Sequence, residues 1–175
     1  MWKAVLPDRY YDTVADITLQ ELRENGIRAL ICDIDNTLVT YDDPVPTQSA
    51  SAFLTAMREG GISVAFVSNN NEERVSRFNT DLGYFYAAKS GKPCGRELRR
   101  AMAYMGSTAR DTAVVGDQIF TDIYAGKRLG LRCYLVKPIR DKNSLFFRFK
   151  RKLEIPVLRA YARLHHEAYR PNVTR

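Results

Sequence analysis

The sequence predicts an α/β protein built on a doubly wound parallel sheet of about five strands, with helices on both faces and a basic helical tail. Two observations carry the sheet: short apolar runs alternate with amphipathic stretches along residues 27–136, and each run breaks abruptly into polar, turn-forming residues. The third is charge. Of a net +7 over 175 residues, residues 137–175 carry 11 Lys/Arg against 3 Asp/Glu, whereas residues 1–136 carry 16 against 17. This length, with 45% apolar content, suits one ordinary core and not two full domains. The expected division is a domain of residues 1–137 and a basic amphipathic extension of residues 138–175.

The elements follow in order. A short helix is expected around residues 14–23. Ile27-Arg28-Ala29-Leu30-Ile31-Cys32 is an apolar run ending in acids and reads as a buried strand. Residues 47–59, with Phe53, Leu54 and Met57 on one side, read as a helix stopped by Gly60-Gly61, and residues 62–67 as a second strand. Residues 72–82 place Val75, Phe78 and Leu82 on one helical face before Gly83 and a weak strand at 84–87. A helix over 93–105 opens on Pro93, a β-rich segment follows at 112–115, a helix at 120–129, and a last strand at 132–136 before Pro138.

No run approaches the roughly eighteen apolar residues needed to cross a bilayer, and the opening residues lack a signal-peptide apolar core. A cytoplasmic, non-spanning protein is expected. Cys32, Cys94 and Cys133 are far apart and lack metal-ligand spacing, which predicts reduced thiols.

In an open parallel sheet, ligands gather beyond the carboxyl ends of the strands, where helix N-termini favour anions. After the first strand comes Asp33-Ile34-Asp35-Asn36-Thr37-Leu38, two carboxylates one residue apart. One can attack phosphorus while the other moves a proton. The second strand runs into Ser68-Asn69-Asn70-Asn71, neutral donors suited to phosphate oxygens. Lys89 and Lys92 follow the third, and a lysine there can neutralise phosphate charge. The fourth ends in Gly116-Asp117-Gln118-Ile119-Phe120-Thr121-Asp122, where Asp117 can meet Asp33 and hold magnesium through hard oxygen ligands. Taken singly, each has a plainer reading: acids and amides that close turns, a solvated lysine, an Asp122 that caps a helix.

Taken together, Asp-x-Asp-x-Thr after strand one, Ser after strand two, Lys before a later helix and Gly-Asp-x-x-x-x-Asp after strand four resemble the four motifs of the haloacid dehalogenase superfamily. The resemblance covers residues 27–137. With Leu6-Pro7, Asp16-Ile17-Thr18 and Asp33 to Val39, it looks more narrowly like the YqeG-type branch, which is similar to mitochondrial phosphatidylglycerophosphate phosphatases. It implies a magnesium-dependent phosphatase in which Asp33 is the nucleophile and Asp35 the general acid/base and a metal ligand through its backbone carbonyl. Ser68 and Asn69 then contact phosphate, Lys92 fills the lysine position in preference to Lys89, Asp117 completes the metal site and Asp122 orders the shell around it.

The stretches between Asp35 and residue 47 and between Ser68 and Lys92 are too short for a cap domain; Tyr41 to Pro46 reads as a small flap or a rigid loop, the loop being favoured. An open site suits phosphate displayed on a large partner or a lipid surface, unless oligomerisation covers it. In the tail, Ser144 to Leu153 mixes aromatics with basic residues. Beyond Pro156, Val157, Leu158, Tyr161, Leu164 and Ala168 fall on one helical face, opposite Arg159, Arg163 and Arg170. Such a helix can lie on an anionic membrane or pack on the core, and specific nucleic-acid binding has no reading motif to support it. His165-His166 are expected at the surface. The rival functions are a small-metabolite phosphatase, a phospho-acceptor domain and a silent scaffold. An acceptor domain would place its aspartate after strand three, where none stands.

Overall fold

The computed structural model describes residues 4–140 and 145–166. Its strands are β1 (Arg9–Tyr11), β2 (Ala29–Cys32), β3 (Ser63–Val67), β4 (Phe85–Ala87), β5 (Thr112–Gly116) and β6 (Arg132–Val136). They form one parallel sheet in the order β1-β6-β5-β2-β3-β4. The fully buried strand β2 lies between β3 and β5, with Ala29 to Cys32 in register with Ser63 to Phe66 and Thr112 to Val115.

The helices are α1 (Leu19–Glu24), α2 (Gln48–Glu59), α3 (Glu72–Asn79), α4 (Arg96–Met105), α5 (Tyr124–Arg128) and α6 (Leu145–Leu164). Because side chains alternate along a strand, Leu30 and Cys32 pack beneath α1, α2 and α3 with Leu22, Leu54 and Phe78. Ile31 faces the other way, toward Leu98 of α4 and Ala125 of α5. On that second side, α6 packs Val157, Leu158 and Tyr161 on Ile119, Ile123, Cys133, Leu135 and Tyr10. The doubly wound architecture is the one the alternation predicts.

The sheet has six strands rather than five. The extra one, β1, is three residues long, too short for an alternation signal, and pairs with β6 at the sheet edge. The expected helix at 14–23 divides into a 3₁₀ turn, Val14–Asp16, and α1, whose cap is Thr18 accepting from the Glu21 amide at 3.2 Å. α3 stops early because the Asn79 side chain turns to the Tyr84 backbone, donating at 2.7 Å and accepting at 3.1 Å. Pro93 stands outside α4, which starts behind Gly95. The predicted helix over 120–129 is a wide π-type turn, Ile119–Ile123, followed by the short α5. α6 continues across Pro156. Of the residues assigned to the tail, Ser144, Ala168 and Arg170 lie outside the described residues.

Candidate active site

Asp33, Ser68 and Asp117 each stand one residue beyond a strand, on β2, β3 and β5, so the parallel register carries them to one edge of the sheet. Lys92 reaches in from the loop after β4. Its ammonium lies 3.0 Å from Asp33 Oδ1 and 2.6 Å from Asp122 Oδ1, and donates to the Val67 carbonyl at 2.6 Å. Lys89 is exposed and takes no part. The loop is stapled by Asn69, whose Oδ1 accepts from the Lys92 amide and the Ser90 hydroxyl, both at 2.8 Å, while its Nδ2 donates to the Lys92 carbonyl at 3.1 Å. Asn69, expected to touch phosphate, is thus engaged in holding the lysine loop. Ser68 is buried, and its Oγ accepts from the Asn70 amide at 3.1 Å.

Asp35 lines the same cleft as Asp33 and is held there by its own partners. Arg74 donates to its Oδ1 from Nε at 3.1 Å and from Nη2 at 3.0 Å, and Asn70 Nδ2 donates to its Oδ2 at 2.8 Å. Arg74 sits in the first turn of α3, where the helix dipole disfavours a cation. That misplacement is the sequence signal for a tertiary acidic partner, one that the strand-end motifs do not carry.

The basic tail supplies residues that the motifs do not contain. Arg151 of α6 donates to Asp117 Oδ2 at 2.5 Å and to the Asp117 carbonyl at 2.8 Å. Glu154, one turn further, accepts from Arg151 at 3.0 Å and from the Ile119 amide at 3.0 Å. Together with Tyr41, Gln118 and Thr121, Lys150 lines the cleft of about 250 Å³ that opens over Asp33. The loop from β2 to α2 holds one bridge, Asp35 with Val39, and no helix or strand, so no cap domain is inserted there.

Asp33, Asp117 and Asp122 are buried and each offers an oxygen within 4.8 Å of the others. Hard carboxylate oxygens grouped this closely, in a cleft open to water, fit a divalent cation that keeps part of its hydration shell. The Asp122 carboxylate joins Asp33 and Asp117 in this group, and the Asp35 carboxylate, whose expected role toward metal is through its backbone carbonyl only, pairs with Arg74. Burial pushes the Asp33 carboxyl up to about 7 against the pull of Lys92, and Asp122 adds to the rise. Burial likewise pushes Asp117 up to about 8, opposed by Arg151. Asp122 has a second task, as its Oδ2 accepts from the Gln118 amide at 3.2 Å and so closes the turn after β5.

A family model for haloacid dehalogenase-like hydrolases matches residues 19–130. The probable phosphatase YqeG of Bacillus subtilis (strain 168) is 38% identical over 164 residues, 94% of this chain and 95% of that protein. Phosphatidylglycerophosphate phosphatase 1, chloroplastic/mitochondrial, of Arabidopsis thaliana is 23% identical over 169 residues, which span 91% of this chain and 49% of the relative. Among solved structures, the cobalt-bound deoxy-D-mannose-octulosonate 8-phosphate phosphatase (YrbI) of Haemophilus influenzae shares the fold, with a TM-score of 0.53 and 15% identity over 79% of this chain and 91% of that one. The resemblance read from the strand-end motifs and the match along the chain agree: this protein belongs to the haloacid dehalogenase-like hydrolases and is a phosphatase of that family.

Proposed function

We propose that this phosphatase hydrolyses a phosphate monoester through an aspartyl-phosphate on Asp33, with Mg²⁺ as its metal. The observation that carries the reading is the meeting of Asp33, Asp117, Asp122 and Lys92 at one strand-end cleft. An Asp33 oxygen attacks phosphorus and the bond to the leaving oxygen breaks, with Asp35 giving that oxygen a proton. Asp35 then takes a proton from water as the water attacks phosphorus, releasing phosphate and restoring Asp33. To reach the leaving group, Asp35 exchanges one of its contacts with Arg74 or Asn70 for it. Ser68 donates to a phosphate oxygen, and Asn69 acts by holding the lysine loop. Lys92 donates to Asp33 and to the Val67 carbonyl and forms an ion pair with Asp122, so it acts by charge, orienting Asp33 and offsetting the negative charge of phosphate. Asp33, Asp117 and the Asp35 carbonyl, with Asp122 beside them, would hold Mg²⁺, which would supply charge neutralisation for the attack.

For the substrate, we propose a phosphate borne by a membrane lipid, phosphatidylglycerophosphate being the candidate that the plant relative suggests. The uncapped cleft suits it, and so does the outward face of α6. There Phe149, Leu153 and Leu164 are exposed beside exposed Lys152, Arg159 and Arg163. Apolar and basic side chains on one face fit an anionic lipid surface. No helix among the described residues is long and apolar enough to cross a membrane, and a cytoplasmic enzyme touching the bilayer from outside agrees with that. In this reading residues 1–137 carry the reacting groups, and the extension of residues 138–175 closes on them from α6 while its outer face meets lipid.

The test is phosphate release from p-nitrophenyl phosphate with and without Mg²⁺. Asp33→Asn is expected to reduce turnover to background, and Asp35→Asn to lower kcat by about 10²–10⁴-fold. Turnover surviving Asp33→Asn sinks the covalent mechanism. Equal kcat/KM on glycerol phosphate and on phosphatidylglycerophosphate vesicles sinks the lipid assignment alone.

A further inference from the structure

The spacing Arg151-Lys152-Leu153-Glu154 puts Arg151 and Glu154 on the inner face of α6, where they are 6% and 2% exposed. Burying a guanidinium and a carboxylate is costly unless each charge finds good partners. α6 already has Val157, Leu158 and Tyr161 to fasten it to the core, so adhesion does not explain two buried charges. Their partners do. The Arg151 fork embraces the side chain and the carbonyl of one residue, Asp117, at 2.5 and 2.8 Å. Glu154 holds the fork at 3.0 Å with one oxygen and the Ile119 amide at 3.0 Å with the other. The turn 117–119 is gripped from α6 at three points, while Asp122 grips its middle through the Gln118 amide.

From this geometry we infer that Arg151, locked by Glu154, is a positioning residue that fixes the Asp117 carboxylate toward Asp33 and Asp122. The basic C-terminal helix is then a working part of the active site and not a separable anchor. With both its Oδ2 and its carbonyl held, Asp117 cannot rotate its carboxylate out of the cluster. A planar fork can do this and an ammonium cannot, because only the fork meets two acceptors of one residue at fixed angles. The inference rests on the proposed metal site at Asp117. Hydrogen-bond partners of metal ligands typically set affinity by about 10–100-fold.

The experiment is calorimetric titration of the full chain with Mg²⁺ alone, for wild type, Arg151→Lys and Arg151→Met, alongside circular dichroism and thermal unfolding. Both variants are expected to keep the wild-type spectrum and to bind Mg²⁺ at least about tenfold more weakly. Wild-type affinity in Arg151→Lys, which keeps the charge and loses the fork, overturns the inference. So does tighter binding in Arg151→Met, which would make the arginine a charge that opposes the metal. If Arg151→Met fails to fold, Arg151→Lys decides, and failure of both to fold overturns the inference by making Arg151 a residue of folding. Absence of Mg²⁺ binding in wild type sinks the metal reading itself and this inference with it.

Discussion

Lys92 and Arg151 approach the acid cluster from opposite sides, one from the loop after β4 and one from α6. Even so, burial dominates at Asp33 and Asp117, whose carboxyls stand at about 7 and about 8 against an ordinary 3.8. The folded chain therefore retains protons that the unfolded chain has already released. The stability these two groups contribute is fully present below about pH 4 and is lost as pH rises through 7 to 8. In chelator, the unfolding temperature is expected to fall between pH 5 and pH 8, and Asp117→Asn, which cannot ionise, to flatten that fall. Mg²⁺ competes with those protons, so its stabilising effect is expected to be larger at pH 8 than at pH 6. Scanning calorimetry at the two pH values checks both, and a metal shift that shrinks with pH refutes the argument.

At the scale of elements, the turn after β5 does the fine placement. A Cβ on Gly116 would stand 2.4 Å from Asp122 Cβ and Cγ, so only glycine lets the strand end lie against that side chain. Gly116→Ala must push Asp122 away from Lys92. The expected result is a loss of about 1–3 kcal/mol in urea unfolding, together with loss of phosphatase turnover; turnover at the wild-type level would show that the Asp122–Lys92 contact is dispensable. Asp33, Ser68 and Asp117 are legible in the sequence because each directly follows an apolar run, where strand and turn signals coincide. Lys92 is legible by its order among them, although the helix that follows it starts at Arg96 and not at Pro93. Arg151 and Glu154 are not legible. In a basic amphipathic run an arginine reads as solvated surface, and only tertiary contact tells the inward charges from the outward ones. β1 escapes for a different reason: three residues carry no period.

Across the whole molecule, α6 has two faces with two tasks. Val157, Leu158 and Tyr161 are buried, each worth about 1.5–3 kcal/mol. Outside, Arg159 and Arg163 are exposed as expected, but so is Leu164, and His165 stacks on Tyr161 with ring centroids 4.2 Å apart. Removing the helix would uncover Ile119, Ile123 and Leu135, so lipid binding is better tested by charge reversal on the outer face. Each basic residue near an anionic bilayer is worth about 1 kcal/mol. Lys152→Glu with Arg163→Glu is therefore expected to weaken co-sedimentation with anionic vesicles by at least about thirtyfold, while turnover of p-nitrophenyl phosphate stays at the wild-type level. Unchanged sedimentation at low salt removes the membrane from the account.

The pairing of β1 with β6 sets an order of events. Arg9 lies beside Tyr134 in the sheet, so β1 has no neighbour among the described strands until β6 has been made. During translation, the chain's opening residues must wait beside a growing sheet, and Asp117 must wait through 34 further residues for Arg151. A ribosome-bound chain can thus assemble the central strands while its catalytic edge is still unfinished, and the site is complete only once α6 has emerged.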